Sequence, residues 1–355
     1  MQIKVNRKEL INAMELLGNI VAENKVRPVI SQVLIDSKET CTLTGTNLEQ
    51  TLIIKLDAEI SEQGKCTISL EALQLLKLEE VEEIELIFSD NILKIGNAEY
   101  QTFDVDEYPA IRIVTGDGTE VEKNVLLKQI DKSAFAASQE EESVEVNCLR
   151  LDSDNFVSTD RFRMTVYKSE IALKRDISLP LKSAYNLSKI LTKQRSEVVN
   201  VVINDNNAVF SIDNLTYATR MIDLHFVDYK SVIASANRDK QVIFSKKEFM
   251  QIIKKALIVT KSNFENRNCA IFTFAENELV IKAVGTSKLT EKIDIDYCYE
   301  TVKTSLNCKY ILDFLQKIEG DLKLEFSNSS AAFIMTDTAD DKYTYLSMPL
   351  AIRED

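Results

Sequence analysis

The sequence predicts an α+β chain of three similar domains, each holding two helices and about eight short strands in antiparallel sheets. Three observations predict it. A loose pattern recurs three times at a spacing of roughly 115 to 125 residues, the length of a whole domain and far too long for a solenoid unit. Each copy carries two segments of helical apolar periodicity about sixty residues apart. Between and after them run short alternating apolar strands separated by Asn- or Asp-rich turns. The copies divide at 1–117, 118–240 and 241–355.

The first helix of each copy is read from Val5 to Ile11, Asn124 to Ile130 and Phe244 to Met250. The second is read from Leu70 to Leu78, Leu181 to Leu191 and Tyr310 to Ile318. In the first copy the strands are Val33 to Ile35, Thr51 to Leu56, Ile84 to Phe88 and Ile92 to Ile95. The second offers Cys148 to Leu151, Asn200 to Ile203 and Ala208 to Ile212, and the third Ala270 to Phe274, Glu278 to Ala283 and Leu322 to Phe326. Asp90-Asn91, Asp205-Asn206-Asn207 and Glu276-Asn277 supply turns, because Asp and Asn enter left-handed backbone cheaply. Each copy closes on aromatic and apolar residues, at Tyr100 to Phe103, Tyr217 to Ile222 and Tyr343 to Met348.

Composition narrows the class. With 45% hydrophobic residues, 4 Pro and 8 Gly, the chain buries real cores and has no flexible linker, so the domains are expected to abut. No stretch approaches the ~18 apolar residues of a membrane span, and Met1 to Val5 is no signal peptide, which predicts a cytoplasmic protein with no membrane partner. The six cysteines have no CxxC spacing and read as buried thiols, with no metal and no cofactor. A single histidine, His225, excludes a two-histidine centre, and no nucleotide, hydrolase or metalloprotease motif is present, so no catalytic residue is assigned. An enzyme with a carboxylate site in an inter-domain cleft stays as an alternative, as does a plain interaction scaffold.

A net charge of -13 argues against a protein that binds nucleic acid over its whole surface. The helices nevertheless concentrate positive charge in every copy. Read singly, each Lys fits a solvated, self-paired helix face; the recurrence fits one basic concavity lined by helices of all three copies.

Four segments carry a resemblance. Leu43-Thr44-Gly45-Thr46-Asn47-Leu48-Glu49 in copy one corresponds to Val157-Ser158-Thr159-Asp160-Arg161-Phe162-Arg163-Met164 in copy two; Phe226-Val227-Asp228-Tyr229 ends copy two, and Tyr345-Leu346-Ser347-Met348-Pro349-Leu350 lies near the C-terminus. In this order and spacing they resemble the bacterial DNA polymerase III beta subunit, the replication sliding clamp, over essentially the whole chain.

The resemblance implies a DNA-clamp fold closing into a six-domain ring as a head-to-tail homodimer, a non-enzymatic processivity factor encircling duplex DNA without regard to sequence. It implies as partners the polymerase III catalytic subunit, the clamp loader and other replication and repair proteins with a short clamp-binding motif. Carried over by position, the peptide pocket comprises Val146, Thr159, Arg161, Phe162, Arg163 and Met164; Val227 and Val232; Asn307 and Tyr310; and Leu346, Ser347, Met348, Pro349 and Leu350. Read singly, each Met or Val there also fits ordinary core packing. The DNA-facing set is Lys25 and Arg27 in a loop, with Lys128, Lys132, Lys189, Lys193, Lys246, Lys254 and Lys309 on or beside helices. The dimer seam is placed at a strand of copy one around Phe103 and Val105, pairing edge-on with copy three of the partner, with apolar contact from Leu257 and Ile258; a core role fits those four residues equally well. The chain departs from the family at Arg161-Phe162, where Gly followed by His is common, at Val227, where Pro is common, and at Ser231 and Ala351, where basic residues are frequent.

Overall fold

The computed structural model describes residues 1–114, 116–262 and 268–351. Its elements repeat one local order six times: a strand running straight into a helix, followed by three strands. The first module is β1 (Gln2–Asn6), α1 (Arg7–Leu17), β2 (Gln32–Asp36), β3 (Cys41–Thr46) and β4 (Gln50–Leu56), with an added β5 (Ala58–Glu62). The second is β6 (Lys65–Ser69), α2 (Ala72–Leu78), β7 (Glu83–Ser89), β8 (Ile92–Ile95) and β9 (Ala98–Gln101). The third is β10 (Thr119–Glu122), α3 (Lys123–Ser133), β11 (Cys148–Leu151), β12 (Asn155–Thr159) and β13 (Arg163–Lys168). The fourth is β14 (Ile177–Pro180), α4 (Leu181–Thr192), β15 (Val198–Ile203), β16 (Asn207–Ile212) and β17 (Leu215–Arg220), after which comes the short α5 (Tyr229–Ser235). The fifth is β18 (Lys240–Phe244), α6 (Lys246–Thr260), β19 (Cys269–Ala275), β20 (Glu278–Val284) and β21 (Lys288–Asp294). The sixth is β22 (Val302–Asn307), α7 (Cys308–Leu315), β23 (Leu322–Phe326), β24 (Phe333–Asp337) and β25 (Asp340–Ser347).

The expected helices and strands are all present, with shifted ends. Val5 and Phe244, read as helical, lie instead in β1 and β18, because the strand turns into the helix without a loop. Asn6 makes the first such turn, its side chain accepting the amides of Lys8 and Glu9 at 3.0 and 3.2 Å; Asn307 caps α7 likewise. Helix α1 buries Leu10, Ala13, Met14 and Leu17 at helical spacing, and α6 buries Phe249, Ile253, Ala256 and Thr260. Positive φ falls at Asp90, Asn91 and Asn277, where the turn chemistry places it.

The chain forms two compact units: residues 1–127 with 171–223, and residues 128–170 with 224–355. Inside the first, strands β10-β15-β16-β17-β4-β3-β2-β6 make one sheet, joined where Leu215 to Thr219 of β17 pair with Ile54 to Gln50 of β4. A second sheet runs β5-β1-β7-β8-β9. Inside the second unit β11-β12-β13-β25-β24-β23-β18 run side by side, joined where Arg163 to Tyr167 of β13 pair with Ser347 to Tyr343 of β25, and β21-β20-β19-β22 form a further sheet. Compactness therefore follows the shared sheets, whereas the sequence repeat follows the copies.

Aromatic rings fill the second unit, with Phe274, Phe326 and Phe333 at 4.7 to 6.4 Å between centroids and Phe314 against Tyr343 and Tyr345 at 4.9 and 4.8 Å. Cys41, Cys66, Cys148 and Cys308 are buried, Cys269 is half-buried and Cys298 is exposed. Burial pushes the thiols of Cys66 and Cys308 up to about 12 and those of Cys41 and Cys269 up to about 11. Among the described residues no helix is long and apolar enough to cross a membrane, and no group of three or more His, Cys, Asp or Glu is placed to hold a metal ion.

Candidate functional site

The corner between β12 and β13 is built by its own side chains. Thr159 Oγ1 donates to the Arg163 carbonyl at 2.6 Å and accepts the Arg161 amide at 3.0 Å. Asp160 Oδ1 accepts the amides of Phe162 and Arg163 at 3.0 and 2.9 Å. These bonds hold Arg161 at φ 76°, the left-handed conformation that explains why a glycine suits this position in the resembled family. The Arg161 guanidinium pairs with Glu145, and Phe162 is thrown outward, 57% exposed.

Beside this corner lies the end of β25. The Met348 amide donates to the Phe162 carbonyl at 2.8 Å, and the Leu350 amide to the Ser305 carbonyl at 2.9 Å. Leu346 and Ser347 are buried in register with Met164 and Arg163. Met348 and Leu350 are exposed, and Pro349 between them is half-buried. Val146 is buried beneath, its carbonyl and that of Thr159 both accepting the Ser138 amide, at 3.1 and 3.2 Å.

Arg163 lies under the corner, 8% exposed, with Asp160 at 2.9 Å, Asp313 at 2.7 Å and the Tyr310 ring centroid at 4.4 Å. Burial opposes its charge, but Tyr345, Asp160 and Asp313 outweigh that and hold its pKa above the ordinary value. Burial also pushes the half-buried Tyr310 hydroxyl up to about 12. Asn307 and Tyr310 reach the same place because α7 begins at β22. The structure thus brings together the predicted residues of 146–164, 307–310 and 346–350. Val227 and Val232 are exposed on either side of Tyr229, whose hydroxyl anchors α5 to Asp152 at 2.5 Å and Asn155 at 2.9 Å. The sequence reading assigned no role to Asp313; its place three residues after Tyr310, on the same helix, was the available signal.

The basic residues divide by environment. Lys25, Arg27, Lys128, Lys189 and Lys254 are exposed and, among the described residues, make no ion pair. Lys25 shares a cleft of about 620 Å³ with Phe103. Lys193 reaches Glu15 at 3.4 Å and lines a cleft of about 560 Å³ beside α1, and Lys309 pairs with Asp313 one turn along α7. Lys246 is half-buried, with its ammonium on the Ile318 carbonyl at the end of the α7 segment.

Lys132 corrects the sequence reading. It is 5% exposed, its ammonium 3.3 Å from Asp340 and 3.6 Å from Glu319, and over the rings of Tyr343 and Tyr167 at 5.2 and 5.7 Å. A cation enclosed this way has no face for a phosphate, so Lys132 leaves the DNA-facing set. Of the seam residues, Phe103 and Val105 lie just past β9 and not in a strand, Val105 opening a 3-10 turn, while Leu257 and Ile258 lie on α6, which packs against β20 and β21; none of the four is buried, and Ile258 is 76% exposed.

Comparison with known proteins agrees with this architecture along the whole chain. Models of the DNA polymerase III beta subunit match its N-terminal domain at residues 1–112, its central domain at 120–228 and its C-terminal domain at 230–351. The chain is 22% identical over 372 residues to the beta sliding clamp of Pseudomonas putida, covering 99% of this chain and 100% of that protein. The crystal structure of the DNA polymerase III beta subunit from Thermotoga maritima superposes with a TM-score of 0.89 at 22% identity, over 99% of this chain and 100% of that one. A Pseudomonas aeruginosa sliding clamp, solved bound to griselimycin, superposes at 0.88 and 21% identity, with the same coverage. Its three consecutive domain matches, its two-helix antiparallel-sheet domains and its likeness to these clamps identify the chain as a member of the DNA polymerase III beta subunit family, the sliding clamps.

Proposed function

We propose that two copies of this chain close head to tail into a six-domain ring that encircles duplex DNA in the cytoplasm and, without catalysis of its own, tethers the polymerase III catalytic subunit. The observation that carries the ring is the pairing of last strands. The module ending in β17 joins the one ending in β4, and the module ending in β13 joins the one ending in β25. That leaves β9 and β21, which among the described residues close their sheets as unpaired edges. An exposed edge is a template for another strand, and the rule the other joints follow would pair β9 of one copy with β21 of the other. Phe103 and Val105 next to β9, and Leu257 and Ile258 on the helix over β21, are positioned to seal that seam.

Topological linkage makes tight DNA contacts unnecessary. Exposed Lys25, Arg27, Lys128, Lys189 and Lys254, with the partly engaged Lys193, Lys246 and Lys309, offer weak, sequence-blind attraction to phosphates, and a net charge of -13 discourages DNA from binding elsewhere. The exposed side chains of Phe162, Met348 and Leu350, with Tyr310 and Pro349, form an apolar site for the hydrophobic anchors of a short motif on the polymerase, the clamp loader and repair proteins, and Val227 and Val232 extend it.

The test is retention on nicked circular DNA. Loaded protein is expected to stay on the circle through a salt wash and to be lost when the circle is cut; protein that remains on the linear molecule refutes encirclement.

A further inference from the structure

The pocket corner has a twin in the first unit that differs from it in charge and hardly at all in backbone. Thr46 Oγ1 donates to the Gln50 carbonyl at 2.9 Å and accepts the Leu48 amide at 3.0 Å, as Thr159 does with Arg163 and Arg161. Leu48 stands at φ 75° and Arg161 at φ 76°. Asn47 Oδ1 accepts the amides of Glu49 and Gln50, and Asp160 Oδ1 those of Phe162 and Arg163. The Glu49 carbonyl accepts the Arg220 amide at 2.8 Å, and the Phe162 carbonyl accepts the Met348 amide at the same distance. The Tyr217 hydroxyl donates to the Ser183 carbonyl at 3.2 Å, as that of Tyr345 does to Tyr310.

Position for position, Asn47, Gln50 and Asn186 therefore stand where the pocket corner has Asp160, Arg163 and Asp313. The buried contact of the twin is Asn186 Nδ2 to Gln50 Oε1 at 2.9 Å, and that of the pocket corner is Arg163 Nη1 to Asp313 Oδ2 at 2.7 Å. A neutral set thus builds this corner with the same turn and backbone hydrogen bonds, Gln50 accepting from Asn186 and Tyr217 where Arg163 donates to Asp160 and Asp313. Burying an ion pair instead incurs a desolvation penalty that the fold need not bear, since such pairs are often no better for stability than neutral replacements.

What the charged corner has in addition is a ring. Ser183 stands where Tyr310 does, so of the two corners the pocket corner alone has an arginine, gripped on two sides by carboxylates, over a half-buried aromatic ring at 4.4 Å from its centroid. The same corner displays Phe162, Met348 and Leu350, where the twin has Glu49 and Arg220 in place of the first two and an exposed Leu48 in place of Arg161.

We infer that Asp313 is a positioning residue of the peptide pocket: with Asp160 it fixes the Arg163 guanidinium, which holds the Tyr310 ring as a wall of the site, so that the charge here serves ligand binding rather than folding. The inference rests on the peptide-pocket reading above.

The experiment transplants the twin's residues. The full-length triple variant D160N/R163Q/D313N and the single variant D313N are compared with wild type in thermal melting and in affinity for a labelled decapeptide, the tightest binder from an overlapping set covering the polymerase III catalytic subunit. The triple variant is expected to melt within a few degrees of wild type and to bind at least tenfold more weakly. D313N, which leaves the buried Arg163 with one carboxylate, is expected to lose several-fold in affinity and to melt earlier than the triple variant, and R163K, which keeps the charge without the planar guanidinium, to bind with an affinity between wild type and the triple variant. A folded triple variant binding within twofold of wild type overturns the inference, as does a triple variant that fails to fold, or a D313N protein that melts early and binds normally. The double variant M348A/P349A separates the two readings: if it loses the peptide while the triple variant keeps it, the pocket stands and the positioning role falls; if it binds normally, the pocket reading falls and takes the inference with it.

Discussion

Replacing Asp340 by Asn is expected to destabilise the second unit by about 2–4 kcal/mol without affecting DNA retention. The magnitude follows from the surroundings of Lys132. Its ammonium is buried, and Asp340 at 3.3 Å is its enclosed partner; Glu319 at 3.6 Å reaches in from solvent. Removing one member of a buried pair costs roughly 3–5 kcal/mol because the other charge stays behind. Glu319, the rings of Tyr167 and Tyr343, and the Asn carbonyl that remains offset about 1 kcal/mol of this. For a body of 150–250 residues that corresponds to a fall in melting temperature of roughly 5–15 °C. Burial raises the Asp340 pKa, but the Tyr167 hydroxyl, the Lys342 amide and Lys132 outweigh it, so the folded value lies below the ordinary one. The sign follows: the stabilisation is present above about pH 4 and is lost as pH falls through the depressed value. Calorimetry from pH 7 to pH 3 should therefore show the gap between wild type and D340N closing in acid. A D340N protein melting within a degree of wild type at pH 7 refutes the argument, and so does a K132M protein that melts normally but slips from nicked circles, since that would return Lys132 to the DNA-facing set.

Two further perturbations test the corners. A Cβ at Gly45 would lie 2.7 Å from Val21 Cγ2 and 2.9 Å from Leu17 Cδ2, so Gly45→Ala should destabilise by about 1–3 kcal/mol in urea titration through overpacking; an unchanged midpoint refutes this. Arg161→Gly should relieve about 1 kcal/mol of left-handed backbone strain and give up an exposed ion pair worth less, so the urea midpoint should rise slightly; a fall shows that the Glu145 contact matters more than the backbone.

Much of the architecture was legible because its signals are local. Asn6 and Asn307 mark helix starts, Asp90-Asn91 marks a hairpin, and strands such as Leu322–Phe326 alternate cleanly between buried and half-buried positions. The strands leading into the helices were missed where helical periodicity begins before the strand ends, as at Val5 and Phe244. The sharing of sheets between copies was not legible, since nothing in the pattern of β17 says that it meets β4. At the site, position alone found the corner, but not which cations turn inward. Lys132 and Lys128 look alike in a helical sequence; only the distant Asp340, Tyr167 and Tyr343 decide that one is enclosed. Asp313 escaped for the same reason, because its partner Arg163 lies in another module.

The distribution of thiols has a practical consequence. Of the six cysteines, four are sealed in the interior, and those of Cys41, Cys66, Cys269 and Cys308 titrate far above neutrality, where thiolate is scarce. Cys298, in the connection between β21 and β22, faces water. A maleimide dye at pH 7 therefore has one preferred target per chain, and the unmutated protein carries its own attachment point for watching single molecules travel along DNA.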